Sequence, residues 1–537
     1  MSDEPNRSGQ QTAIWPERAP ADSLPRPQRE SAPEPPLRFK PIDRSQMVWA
    51  TMDLEQLLPA DHLARAIWTM TERLDWTPFE AKFKAVVGRA GCTPYPPQLV
   101  ACLWILAYSE GISSASEIEL RCEYHPAYRW LTGLKVIGAK TLANFRVAHK
   151  EALNRLFVQV LAALRSEGMI PGEQIMQDGT KVRAAASPSS LHREQTLRDH
   201  LQAAQQRVKQ LSQASDAEPP RPRRKRAAQQ RGARQRLETL QQSLEELQQL
   251  QKAAQASGED PTECRVSESE PEARKMKQPI TGGYAPSYNL QLMTDSAHDL
   301  IVDVAVVQAG NDQGQLEPGL DRLQEQTGIK PKQAVVDEGY LSWETVQNMA
   351  DRQIDLISGG PALDDKNAKV NQQKLEKRGV TPEFFPQQFV YDPEQNLYRC
   401  PAGECLGFRG TRQESPGVRR HQYRAKAATC RNCPQRAQCC PGSGKNGRTI
   451  TCTEYEPVIQ AHVDKMKTPE AQATYKLRKQ VAEFPNLWLK AKLGLRRFSV
   501  RGLDKVTCES LWACLTYNLQ QWWRARWKPQ LQLATAA

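Results

Sequence analysis

The sequence predicts a mixed α+β or α/β chain in which an all-helical front part precedes a mixed-sheet part broken by two insertions. Three observations predict it. Between Asp61 and Met169 apolar residues recur at three-and-four spacing, the period of helices with one buried face. From Gly172 short apolar runs alternate with helical patterns, as in layered α/β structure. Two stretches then interrupt that alternation, one striped with leucine and dense in arginine, the other rich in cysteine. At 537 residues the chain is several times the length one hydrophobic core usually needs, so several units with insertions fit.

Residues 1–37 are rich in Pro, Ser, Glu and Arg with almost no aliphatics, which is too little apolar surface to offset chain entropy, and a disordered arm is expected. Residues 38–170 read as a compact helical domain. Ser113, Ser114 and Ser116 precede an acidic first turn, and Thr141 opens the helix that carries Asn144, Phe145 and Arg146. Short helices joined by polar turns suit a helix-turn-helix-like DNA reader or a purely structural bundle, and composition does not choose between them.

The sheet-bearing part is expected over 171–359 and 466–537. Strand patterns run through Gln174–Asp178 and, past Gly179-Thr180-Lys181, Val182–Ala186, then Tyr288–Asp295, Leu300–Val307, Gln333–Tyr340 and Asp351–Ser358, with a helix over Gln315–Gln326. The first insertion, 188–275, places Leu197, Leu201, Val208 and Leu211 on one stripe and Leu237, Leu240, Leu244, Leu247 and Leu250 on another, which predicts a helical hairpin. Between the stripes lies the densest positive run of the chain, with prolines expected to end the first helix; it is either a solvated turn or a DNA-backbone contact. The second insertion, 360–465, holds the spacing C-x2-C-P-x4-C-C. Cys400, Cys430, Cys433 and Cys439 would make a tetrahedral Zn²⁺ site; the alternative is a set of reduced thiols in a loop-rich insert.

Lys and Arg outnumber the acids by 73 to 61, a net charge of +12, which favours a polyanionic partner over an acidic small molecule. No run of eighteen apolar residues and no basic-then-apolar leader is present, so a cytoplasmic protein without membrane association is expected, and its thirteen cysteines are read as thiols or metal ligands rather than disulfides.

Chemistry is carried by acids at the ends of apolar runs. Asp178 follows Ile175–Gln177, and Asp337 follows Ala334, Val335 and Val336, so the two could stand side by side. Carboxylates forced together repel unless a cation neutralises them, and hard oxygen donors select Mg²⁺ or Mn²⁺ over zinc. Glu483 offers a third acid on a helix with Val481, Phe484, Leu487, Trp488 and Ala491 as its apolar face and Lys490 two turns along its own side. Pro485 requires that helix to begin or kink nearby. Taken singly, each acid could equally be a cap or turn former.

Together these residues resemble the DDE transposases of bacterial insertion sequences. Segments similar to that family are Asp178-Gly179-Thr180-Lys181, Val336-Asp337-Glu338-Gly339-Tyr340, Pro286 to Gln291, Asn311-Asp312, Arg501-Gly502, Asn518, Arg129-Trp130-Leu131 and Asn144-Phe145-Arg146. Tyr475, Arg478, Glu483 and Lys490 match its Tyr-Arg-Glu-Lys signature, with one extra residue between Arg and Glu, and the C-x2-C-P segment resembles one subgroup.

The resemblance implies an RNase H-like catalytic fold and two Mg²⁺ (or Mn²⁺) ions held by Asp178, Asp337 and Glu483, which cut and join double-stranded DNA at transposon ends and target. It implies phosphate contacts from Tyr475, Arg478, Lys490, Arg496, Arg497 and Arg501 and at least a homodimer on DNA, in a bacterial, nucleoid-associated setting. Trp488 could stack on a base or pack in the core. The C-terminal cluster of Trp522, Trp523, Arg524, Arg526, Trp527 and Lys528 suits DNA or docking onto the catalytic domain. An inactive DNA-binding remnant and a host structure-specific nuclease of the same fold are the competing readings.

Overall fold

A computed structural model describes residues 51–81, 83, 93–213, 220–278, 282–359, 372–415, 417–441 and 446–536. The predicted arm over 1–37 lies outside these residues. Every element below belongs to one unit, residues 53–537.

The front of that unit is helical: α1 (Leu63–Thr71), α2 (Thr77–Glu80), α3 (Pro97–Ser109), α4 (Ala115–Tyr124), α5 (Pro126–Thr132), α6 (Ala139–Ala148) and α7 (Lys150–Ser166). Ser114 caps α4 by accepting from the Glu117 amide. Helix α6 starts two residues before Thr141, at Ala139, with Gly138 as its N-cap and no side-chain cap. Helix α3 buries ten of its thirteen residues, the signature of a helix enclosed on all sides rather than an amphipathic surface one.

The sheet follows. Its strands are β1 (Gln174–Arg183), then, past the first insertion, β4 (Arg274–Lys277), β5 (Tyr284–Asp295), β6 (Leu300–Val307), β7 (Gln333–Val336) and β8 (Asp355–Ile357). The order is β4-β5-β1-β7-β8, with β6 beside β4 along the same edge of β5. Pairing of β1 with β5 and of β5 with β6 is antiparallel, whereas β1, β7 and β8 run parallel, so β1 is central. Helices α10 (Leu316–Thr327) and α11 (Trp343–Asp351) make the crossovers that parallel strands require.

The first insertion is the expected hairpin, α8 (Glu194–Ser212) against α9 (Pro220–Ser257), closed at its root by β2 (Leu191–His192) pairing with β3 (Val266–Ser267). Leu197, Leu240 and Leu247 are fully buried between the helices. The basic run is not a turn, however. Prolines are tolerated in a first helical turn, where their missing amide is unbonded anyway, so Pro220 and Pro222 begin α9 and its arginines are helical.

The second insertion is not loop-rich. Strands β9 (Val390–Asp392), β10 (Leu397–Arg399), β11 (Cys405–Ser415), β12 (Val418–Ala425) and β13 (Thr449–Tyr455) form an antiparallel meander with its own core of Phe384, Phe389, Leu406, Tyr423 and Ile450. Between β12 and β13, short helices α12 (Ala427–Arg431) and α13 (Arg436–Cys439) carry Cys430 and Cys439, with Cys433 between them and Cys440 just after the second.

The chain then returns to the sheet through α14 (Pro457–Lys465), α15 (Pro469–Val481), α16 (Glu483–Ala491), α17 (Leu503–Trp522) and α18 (Lys528–Ala536). Helix α17 is buried over most of its length among α3, α6, α7 and β6, so front helices and sheet share one continuous core. Asn518 holds this junction by accepting from the Ile301 amide at 2.9 Å and donating to its carbonyl at 2.8 Å. The C-terminal aromatic cluster docks on the front helices: the Trp522 indole donates to Glu167, the Trp523 indole to the Asp61 carbonyl, and Lys528 pairs with Asp61. Among the described residues no helix is long and apolar enough to cross a membrane.

His462 of α14 is buried, its Nε2 3.0 Å from the hydroxyl of Ser358 just past β8, and burial pushes its pKa down to about 4. The unfolded chain then takes up this proton near pH 6.5 while the folded chain does not, so stability is full above about pH 6.5 and falls as pH drops from there towards 4, by up to about 1.4 kcal/mol per unit. His462→Gln should flatten that part of a melting-temperature profile, and an unchanged acid slope would refute the assignment.

Candidate active site

Parallel pairing of β1 with β7 sets Gln174 opposite Gln333 and Gln177 opposite Val336. The next residue on each strand is an acid, so register alone brings Asp178 and Asp337 to neighbouring positions. Strand β1 does not stop at Asp178; it continues to Arg183 along β5, and it is the β7 partnership that ends there. Gly179 is therefore an in-strand residue. A Cβ on it would lie 2.2 Å from the Asp312 Oδ1 and 2.4 Å from the Gln291 Nε2, two atoms fixed to each other by a 2.6 Å hydrogen bond.

Glu483 arrives from the other side. Helix α15 ends at Val481 and α16 starts at Glu483, so Pro485 falls in a first turn, where it costs no hydrogen bond. The break leaves Arg478 on the last turn of α15 facing all three acids. Its Nη1 is 3.2 Å from Asp178 Oδ1, and its Nη2 is 3.0 Å from Glu483 Oε1 and 3.7 Å from Asp337 Oδ2. The Arg478 side chain is nearly buried, and those of Asp337 and Glu483 are about half exposed. One guanidinium thus stands where three carboxylates converge.

Tyr475, one turn before Arg478, donates its hydroxyl to Asp337 Oδ1 at 3.0 Å. Asn486, one turn into α16, donates to Asp178 Oδ2 at 2.8 Å, while its buried Oδ1 has no hydrogen-bond partner among the described residues. Lys490 reaches the Thr180 hydroxyl at 2.5 Å; burial lowers its pKa, with Asp178 acting in the opposite sense. Burial raises the Asp178 carboxyl to about 6, Arg478 and the Asn486 hydrogen bond oppose that, and Glu483 and Asp312 add to it.

Asp312 and Asn486 were not singled out as site residues by sequence reasoning, although Asn311-Asp312 belongs to the resembling segments. Asp312 accepts from Asn289 at 2.8 Å and Gln291 at 2.6 Å, and Gln291 accepts in turn from the buried Tyr340 hydroxyl. A short polar residue one turn beyond Glu483 was the available signal for Asn486.

Other expected residues are placed differently. Arg496 is exposed and donates to the Lys490 carbonyl. The Arg497 guanidinium is committed to the carbonyls of Ala184 and Ala185, which makes it a clamp on the end of β1. Arg501 lines a separate groove with Arg236, Thr239, Glu270 and Lys505. Of the predicted apolar face, Leu487 is 64% exposed and Ala491 is exposed, while Leu489 is buried. Trp488 packs: its indole donates to Gln520, and Arg524 lies 4.4 Å over its ring.

Two family models match the chain. A "Transposase DDE domain" matches residues 399–523, the stretch that holds Tyr475, Arg478, Glu483 and Lys490. A "Transposase domain (DUF772)" matches residues 52–148, the front helices. These two stretches are similar to transposase domains. No curated protein matches it. Among solved structures, a piggyBac transposase synaptic complex with hairpin DNA aligns at 8% identity over 86% of this chain and 74% of that one, with a TM-score of 0.29, too low to establish a shared fold.

The chain also gathers its cysteines. Cys400, Cys430, Cys433, Cys439 and Cys440 line one small cavity with Phe384, Glu404 and Arg448. The amide of Glu404 donates to the Cys400 sulfur at 3.3 Å and that of Arg448 to the Cys430 sulfur at 3.4 Å. Burial pushes the Cys430 thiol up and the Cys439 thiol up to about 12. Among the described residues no three of these sulfurs lie within 4.8 Å of one another.

Proposed function

We propose that the chain is a transposase that cuts DNA at the ends of an insertion sequence and joins the freed 3′-hydroxyl to target DNA, with Asp178, Asp337 and Glu483 as its metal-binding acids. The observation that carries this reading is the convergence of the three carboxylates on the Arg478 guanidinium. The donor set is all oxygen, its combined charge already recruits a cation, two of its members are open to solvent, and the orphaned Asn486 Oδ1 lies beside it, all of which fit Mg²⁺ or Mn²⁺. When bound, such ions supply nucleophile activation and neutralise the leaving oxygen.

The chain's own residues do the rest. Asn486 orients Asp178 and Tyr475 orients Asp337. Lys490, half-buried beside Thr180, offers a point charge to a phosphate oxygen, and Arg478 offers a fork that matches one. Arg496 extends the positive surface, and the arginine-rich start of α9 is a further DNA-backbone contact.

An RNase H-like sheet is the fold we assign to 171–359 with 466–537, supported by the antiparallel β6-β5-β1 and parallel β1-β7-β8 pairing. The front helices, 38–170, the hairpin, 188–275, and the cysteine insert, 360–465, are proposed as its attached units. Double-stranded DNA is the proposed partner, bound by at least two copies because two ends must be brought together.

The test is cleavage of DNA that carries the inverted repeats flanking the gene, by purified protein with Mg²⁺ or Mn²⁺. Uncut repeats alongside retained binding would instead favour an inactive remnant. Cleavage of branched DNA regardless of repeats would favour a host nuclease. Affinity should fall steeply with added salt as counterion release is suppressed.

The cysteine cavity is proposed as a structural Zn²⁺ site of Cys400, Cys430, Cys433 and Cys439, supported by the shared cavity and by amide-to-sulfur hydrogen bonds. Cys430→Ser with Cys433→Ser should lower the zinc content and melt the β9–β13 sheet; unchanged zinc by metal analysis would remove the assignment.

A further inference from the structure

We propose that His192, His200 and Glu268 form a second metal site, for a zinc-class divalent ion, at the root of the α8–α9 hairpin. It involves neither the three acids nor the cysteines, and it does not depend on the transposase reading. The three side chains come from three elements: His192 ends β2, His200 lies in the second turn of α8, and Glu268 directly follows β3. One ligand atom from each lies within 4.8 Å of the other two. His200 Nδ1 is 2.7 Å and His192 Nε2 4.0 Å from the same Glu268 Oε2, and the two imidazole rings stand 5.2 Å apart at 79°.

Two imidazoles and a carboxylate suit Zn²⁺ rather than Mg²⁺, and they leave a fourth position for water. Tetrahedral ligand atoms about 2.0–2.1 Å from an ion are about 3.4 Å apart, so one contact would open and the other close by only about 0.6–0.7 Å. The scaffold beneath is fixed. The hydroxyls of Ser190 and Ser267 are 2.8 Å apart, that of Ser243 on α9 donates to the Ser267 carbonyl, the Glu268 amide donates to the Ser190 carbonyl, and all three serines are buried. Arg236 approaches Glu268 Oε2 at 3.6 Å, but on a largely exposed side chain that returns to water at little cost. The bound ion ties α8 to the β2–β3 ladder and so fixes the direction in which the arginine-bearing α9 projects.

The experiment titrates metal-stripped full-length protein with Zn²⁺ against a chromophoric chelator, and in parallel with Co²⁺, whose intense near-ultraviolet charge-transfer band reports thiolate ligation alone. Wild type should bind one more equivalent of Zn²⁺ than His192→Gln/His200→Gln, with the Co²⁺–thiolate band equal in both. Trypsin should cut the start of α9 faster in the variant, and added Zn²⁺ should slow that cutting only in wild type. Glu268→Gln keeps a hydrogen-bond acceptor for the imidazoles and should fold even if the double variant does not; its Zn²⁺ affinity should fall at least tenfold. Equal zinc stoichiometry and affinity in wild type and Glu268→Gln would overturn the proposal.

Discussion

Asp178→Asn, Asp337→Asn and Glu483→Gln should each lower Mg²⁺-dependent DNA cleavage by a factor of about 1,000 or more, equivalent to about 4 kcal/mol of transition-state stabilisation, while leaving DNA binding in place. Each substitution keeps the shape of the side chain and removes one of the charges that would hold a divalent ion. The three should differ in stability. Burial lifts the folded-state carboxyl of Asp178 to about 6, so the folded chain holds that proton more tightly than the unfolded one. The sign follows directly: ionised Asp178 costs stability above about pH 6, and acidification from there towards the unfolded value near 4 relieves the cost. Metal-free Asp178→Asn should therefore melt no lower than wild type at pH 7.5, although it is inactive. Calorimetry of the metal-free protein measures this, and undiminished cleavage by Asp337→Asn would sink the assignment of the acids.

How much of this site was legible beforehand depended on whether local pattern or long-range register decides the geometry. Asp337 is local: Ala334, Val335 and Val336 are a buried strand, and the acid caps its end. Asp178 ends an apolar run in the sequence, yet β1 runs on through Gly179 to Arg183. A glycine beside an acid reads as a turn, whereas here it makes room for Asp312, 133 residues away, which no local pattern encodes. The α15–α16 break at Ala482 was legible through Pro485. Which face of α16 is buried was not. Leu487 and Leu489 are alike in sequence, and only packing against the sheet and α17 buries the second.

Charge hid structure in two places. Arginines between two leucine stripes read as a turn, yet arginine is a good helix former and α9 runs through them. In the cysteine insert, β11 and β12 carry Arg409, Arg412, Arg419, Arg420 and Arg424, which mask the alternation that marks a strand. Their inner face holds Leu406, Tyr423 and Ala425 as its buried apolar residues among those described, too few to reveal a five-stranded sheet. Composition could not assign the C-terminal tryptophans either, because cations interleaved with aromatics look the same whether they meet DNA or, as here, Glu167 and Asp61.

Arg478→Met should destabilise the metal-free protein and, at the same time, enlarge the stabilisation that Mg²⁺ provides. The side chain is nearly buried and pairs with Asp178, Glu483 and Asp337, so its removal leaves three carboxylates facing one another without a cation. Breaking a buried charge cluster costs up to about 3–5 kcal/mol, and the lower end applies because two of the three acids are half exposed and screened by water. In wild type an incoming divalent ion shares or takes over partners that already have a cation, and part of its binding energy is offset by the contacts Arg478 gives up. In the variant nothing is given up, so the Mg²⁺-induced rise in melting temperature should be larger than in wild type. Arg478→Lys should fall between the two, because a single ammonium cannot fork across three carboxylates. Equal metal-free melting temperatures and equal Mg²⁺ shifts in wild type and Arg478→Met would show that the guanidinium does not hold the acids together. Cleavage should still be reduced in Arg478→Met, since the residue that neutralises the acids before metal arrives is also the one placed to meet the phosphate once it has arrived.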